Sequence, residues 1–105
     1  MPTLHLRSLL CRETDDPIGA DEPYIEVNGD RVWGPGKIEK GGTCSVDVSL
    51  EFGARAEVWI REHDAVGADD NIGHFHVFPD EAGKGPQEAH LNGEFGRYSL
   101  SYEVK

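Results

Sequence analysis

Cysteine is scarce in this chain, acids outnumber bases two to one, and no long apolar run appears anywhere in its 105 residues. Each scarcity excludes something. Two cysteines make no disulfide framework of the sort that staples small secreted folds. With 10 Lys and Arg against 20 Asp and Glu, the formal net charge is −10 and no basic patch for nucleic acid is expected. The same imbalance keeps the chain off an anionic membrane surface until its acids are neutralised. No segment approaches the ~20 apolar residues of a membrane span. Residues 1–12 alternate apolar with polar side chains and lack the apolar stretch of a signal peptide. The expected state is soluble, whether cytoplasmic, peripheral to a membrane or exported by a non-classical route. No nucleophile elbow or other catalytic motif is present, so an enzyme is not expected.

Helical periodicity is missing as well, and what replaces it is alternation of period two. Leu4, Leu6 and Leu10 share one face of a first strand, opposite His5, Arg7, Leu9 and Cys11. Residues 24–27 run into Asn28-Gly29-Asp30 and out through residues 31–33; Asn-Gly adopts positive φ readily, which marks a hairpin. Cys44, Val46, Val48 and Leu50 line one side of another strand. Ala56, Val58 and Ile60 alternate with Glu57, Trp59 and Arg61, and Phe75 and Val77 alternate with His74, His76 and Phe78. Residues 79–86, with their glycines and prolines, read as a loop, residues 89–91 as a short strand, and Tyr98, Leu100, Tyr102 and Val104 as the last strand. Residues 1–105 are therefore expected to form one domain, an all-β antiparallel sandwich of seven or eight strands. Cys11 and Cys44 both fall in strands. Two small buried thiols are favoured over a bridge, which needs a geometry that sequence does not specify.

The acids are not spread evenly. Asp15, Asp16, Asp21 and Glu22 crowd one loop, and Glu62, Asp64, Asp69 and Asp70 another. Outside these eight, 12 acids face 10 bases, a residual charge of about −2. Carboxylates packed this densely beside hydrophobic strands repel one another unless a cation holds them. Several hard oxygen donors supplied by loops are what Ca²⁺ selects. Neither loop carries the spacing of an EF-hand.

The two loops resemble those of the C2-domain family. Gly19-Ala-Asp-Glu-Pro-Tyr-Ile-Glu-Val27 is similar to the family's Gly-x-Ser-Asp-Pro-Tyr-x-x-Val string, and Glu62-His-Asp64 followed by Asp70-Asn-Ile-Gly73 is similar to its Asp-x-Asp and Asp-x-Ile-Gly. The likeness covers residues 4–78, with the remainder as a closing strand, and it implies a small, minimal C2-like sandwich. It also implies Asp16, Glu22, Glu62, Asp64 and Asp70 as calcium ligands, with glutamate standing at positions 22 and 62 where the family carries aspartate. Asp15, Asp21 and Asp69 have no counterpart among the usual ligands and are expected to act, if at all, as auxiliaries. The resemblance also implies Pro17, Ile18, Ala65 and Val66 as the loop tips that would enter a lipid interface. These tips are small: burying Ile18 and Val66 contributes at most ~3–5 kcal/mol. No lysine-rich strand is present, so a basic lipid groove is not implied.

Two functions follow as expectations. One is calcium-dependent docking onto anionic phospholipid; the other is a protein-interaction or structural module that calcium stabilises. A carbohydrate-binding sandwich would want exposed aromatics beside the loops, where only Tyr24 stands at an edge. His74 and His76, two apart on one strand, make a candidate transition-metal pair against the commoner reading of solvent-facing histidines. Trp33 and Trp59 are expected to pack rather than to bind.

Overall fold

Where apolar and polar residues alternate, the chain pairs into sheets. The computed structural model describes residues 1–14, 20–63, 67–93 and 96–105. Among them the order is β1 (Thr3–Glu13), β2 (Pro23–Val27), β3 (Asp30–Trp33), β4 (Thr43–Glu51), β5 (Ala56–Glu62), β6 (Asp70–Val77), a 3₁₀ turn (Pro79–Glu81), β7 (Gln87–Gly93) and β8 (Gly96–Val104). Two four-stranded sheets result, β4-β1-β8-β7 and β3-β2-β5-β6, with every pairing antiparallel. The fold is an all-β sandwich, as expected. No helix among the described residues is long and apolar enough to cross a membrane.

The core fills from both inner faces. Ile25 and Val27 of β2, Ala56, Val58 and Ile60 of β5, Ile72 and Val77 of β6 and Leu91 of β7 are buried against Tyr98, Leu100 and Val104 of β8. Alternation gives the right faces for β4, β5 and β8. It fails along β1, where the buried residues are Leu4, Leu6, Leu9 and Cys11, and Leu10 lies on the other face. The cause is a bulge. Leu6 pairs with Tyr102 and Ser8 with the adjacent Ser101, so β1 carries one extra residue and its inward set changes from even to odd numbers. The same bulge reaches β4, where Asp47 has φ +49.

The hairpin at Asn28-Gly29 is present, with φ +51 and +90 at its two loop residues, the geometry of a type I′ turn. The Asn28 side chain accepts the Glu57 N–H at 2.8 Å, which ties this turn to β5. At the other edge β6 and β7 close the gap between the sheets. A Cβ on Gly73 would lie 2.9 Å from Leu91 Cδ2 and 3.2 Å from its Cβ, so a larger residue there would push Leu91 aside. β7 is longer than expected, and the segment before it includes the 3₁₀ turn, whose Glu81 accepts from the Phe78 N–H and the Tyr102 hydroxyl at 2.8 and 2.7 Å. Both cysteines are free thiols. Cys44 lies opposite Leu9, not Cys11, and its thiol donates to the Lys37 carbonyl.

Candidate functional site

Three adjacent strands of the second sheet meet in register at one end. Pro23, the first residue of β2, pairs with Glu62, the last of β5, and Glu62 pairs with Asp70, the first of β6. That register pairs Glu62 with Asp70 and brings Glu22, one residue before Pro23, to the same end of the sheet, although 40 and 8 residues separate the three along the chain. Backbone contacts lock the junction: the His63 N–H donates to the Glu22 carbonyl at 2.9 Å, and the Glu22 N–H points to Glu62 Oε1 at 3.4 Å. Glu22 is exposed; Glu62 and Asp70 are half-buried. Arg61, the cation next in sequence to Glu62, is committed elsewhere, to Glu26 at 2.5 Å and to Asn71.

Asp69 has its own fastening. The Tyr24 hydroxyl donates to its Oδ2 at 2.5 Å, and His63 Nδ1 lies 3.5 Å from its Oδ1. Burial first, and then this carboxylate, push the Tyr24 phenol above its ordinary range. The Arg31 guanidinium lies over the same ring, 4.0 Å from its centre. Asp69 therefore couples the entry of β6 to the start of β2.

Asp21 departs from its expected place as an auxiliary in the acidic loop. Its residue is 1% exposed, its backbone bridges to Ile38, and its Oδ2 accepts the Tyr98 hydroxyl at 2.5 Å in the interior. The alternation of β2 explains the direction: counting back from Ile25 through Pro23 lands on Asp21 on the inner face. That count is the one signal the sequence offers, and the acidic company of Asp21 masks it. Tyr98 and Cys11, which flank this carboxylate, carry no sequence mark beyond that of core residues.

Asp15, Asp16, Pro17, Ile18, Asp64, Ala65 and Val66 lie outside the described residues. Among the described residues no group of three or more His, Cys, Asp or Glu is arranged to hold a metal ion by itself. Glu22, Glu62 and Asp70 nonetheless offer only hard oxygen donors, on one end of one sheet, which is the donor chemistry of Ca²⁺. His74 and His76 share the outer face of β6, as expected. His74 stacks on Trp59 with ring centres 4.3 Å apart, and Trp33 is half-buried against the core.

The tyrosines give this interior a pH signature. Burial, then the Asp21 carboxylate, hold the Tyr98 phenol far above its usual range; burial, then Glu81, do the same for Tyr102. Burial likewise raises the Cys11 thiol. A folded-state pKa raised above the unfolded value leaves its full stabilisation in place below the unfolded value. For tyrosine that is about 10, and stability is lost as pH climbs beyond it, because the unfolded chain releases protons that the folded one keeps. Denaturant midpoints should thus fall steeply above about pH 10, with an earlier, shallower contribution from Cys11 near 8.5. Tyrosinate absorbance should rise together with unfolding. Appearance of all three tyrosinates near pH 10 in a chain still folded by circular dichroism would refute this.

No protein-family model matches the sequence, and no curated protein matches it. Solved structures do. A structure described as that of a C2 domain shares 16% identity over 100% of this chain and 99% of its own, with a TM-score of 0.62. A C2 domain of plant extended synaptotagmin 1 shares 14% over 98% of this chain and 90% of its own, at 0.57. Human GIVD cytosolic phospholipase A2 aligns with 98% of this chain at 16% identity and a TM-score of 0.63; this chain spans only 16% of that protein. At these identities the likeness speaks for architecture. Over nearly its whole length, the chain has a C2-like β-sandwich fold.

Proposed function

We propose that this chain is a non-catalytic calcium-binding module that docks to a partner once its acidic end is neutralised. The observation that carries the reading is the register Pro23–Glu62–Asp70, which pairs two acids of the second loop beside the strand that the first acidic loop enters. Asp16, Glu22, Glu62, Asp64 and Asp70 would hold the ion, with Asp15 and Asp69 as auxiliaries. Bound Ca²⁺ supplies positive charge that offsets the mutual repulsion of these carboxylates. The chain's own part is to set the stems: β5 and β6 pair Glu62 with Asp70, Glu22 leads into β2, and the Tyr24–Asp69 bond ties the entry of β6 to β2 across β5. Neutralisation then turns a strongly negative end into one that an anionic phospholipid surface, or an acidic protein surface, no longer repels.

Ca²⁺ should raise the melting temperature, by an amount equivalent to about 2.7 kcal/mol at a hundredfold excess over Kd. A melting curve indifferent to millimolar Ca²⁺ against chelator would reject the metal. With anionic vesicles, sedimentation should need Ca²⁺, weaken with salt and weaken further in an Ile18→Asp, Val66→Asp double variant. Calcium stabilisation without any vesicle binding would assign the partner to protein.

A further inference from the structure

Away from the acidic end, the outer face of the second sheet holds a second group of ligating side chains. β6 presents His74 and His76 on one face, and β5 sets Glu57 directly opposite His76 and Trp59 directly opposite His74. The two imidazole centres are 6.0 Å apart. An ion bound to one nitrogen of each ring at ~2.0–2.1 Å stands roughly 3.2 Å from each ring centre, so a tetrahedral angle wants the centres roughly 5 Å apart. As the side chains stand they do not converge on one ion; side-chain torsion that moves a ring by about an ångström closes the gap.

A third donor lies beside His76. Glu57 Oε2 lies 3.8 Å from His76 Nε2, while neighbouring ligands on a tetrahedral ion are roughly 3.4 Å apart. Glu57 Oε1 accepts the Trp59 indole N–H at 2.6 Å. That bond orients the carboxylate so that its other oxygen faces the histidine, the kind of outer support that metal ligands use. His76 and Glu57 are each 36% exposed at the side chain, so an ion enters from solvent. Among the described residues, the chain's other three histidines each form one ion pair, His5 with Asp47, His63 with Asp69 and His90 with Glu88. Among the described residues, β6 alone pairs two imidazoles.

We propose that His74, His76 and Glu57 form a surface chelate for a borderline divalent transition-metal ion, with water completing its coordination. Two imidazoles and a carboxylate suit Zn²⁺, Ni²⁺ and Cu²⁺, and Cu²⁺ binds tightest in that series. Hard Ca²⁺ is not drawn to nitrogen donors, so this site stands or falls separately from the acidic end.

The stack of Trp59 on His74 supplies the readout, because Cu²⁺ held by His74 lies close enough to quench indole fluorescence. In a Trp33→Phe background, titration of Cu²⁺ into chelator-treated protein should quench Trp59 saturably at one equivalent. His74→Asn and His76→Asn should each weaken binding at least tenfold, and Glu57→Gln several-fold. His5→Asn, His63→Asn and His90→Asn should leave it unchanged. Calorimetry should return the same Kd in a Trp59→Phe variant, and Cu²⁺ should broaden the imidazole resonances of His74 and His76 before the other three. Binding that survives both β6 substitutions, binding lost equally on His90→Asn, or no saturable binding overturns the proposal. The site substitutions lie on an outer sheet face, and unchanged circular dichroism confirms that each variant is folded.

Discussion

Tyr98→Phe should lower the stability of the fold by about 2–4 kcal/mol, the cost of removing a charge-assisted donor from a buried carboxylate. For a domain of this size that lowers the melting temperature by about 10–20 °C. The substitution deletes one oxygen and leaves the ring, so packing is nearly unchanged and the loss reports the bond itself. Both partners are almost sealed from water, Tyr98 at 0% and Asp21 at 1% exposure, and 2.5 Å separates their oxygens. The bond also spans the sandwich. Tyr98 belongs to β8 of the first sheet, and Asp21 to the stem that leads into β2 of the second. Asp21→Asn keeps an acceptor of the same shape and should cost about 1 kcal/mol, the scale of a neutral bond. Urea unfolding measures both. A Tyr98→Phe variant within about 0.5 kcal/mol of the parent would show that the hydroxyl contributes no more than an ordinary surface group.

How far the sequence could be read depended on whether a residue's neighbours alone decide its direction. Along β5, Ala56, Val58 and Ile60 turn inward because nothing interrupts their alternation, and the pattern suffices. Along β1 the bulge between Leu6 and Ser8 inverts the phase. Bulges are specified by the partner strand, which a local pattern does not contain. The acidic end divides the same way. The composition of the two loops marked the region, and the strand register pairs Glu62 with Asp70 at the end of the sheet where Glu22 precedes β2. The inward turn of Asp21 follows from alternation along β2, but its partner Tyr98, 77 residues away, lay beyond any local count. The Tyr24–Asp69 bond, across 45 residues, was hidden for the same reason.

The charge at that end sets up the sharpest test of the calcium reading. Asp70→Asn should weaken Ca²⁺ binding at least tenfold, and Asp64→Asn should match it, since each removes a formal charge from a site whose affinity follows ligand charge. Asp80→Asn is the control. Asp80 sits in the exposed 3₁₀ turn after the far end of β6, a full strand from Asp70, and should bind Ca²⁺ as the parent does. Without calcium the order inverts. Asp70 starts β6 beside Glu62, so neutralising it relieves like-charge repulsion and should leave the apo fold equal in stability or more stable by up to about 0.5 kcal/mol. A structural salt bridge would do the opposite, because removing its acid destabilises with or without the ion. Calorimetric titration and apo melting on the same three variants therefore separate a ligand from a brace. Equal Ca²⁺ affinity in all three would remove Asp70 and Asp64 from the ligand set. A loss of apo stability at Asp70→Asn, with calcium affinity intact, would make the acidic end a scaffold for the strand ends and not a metal centre.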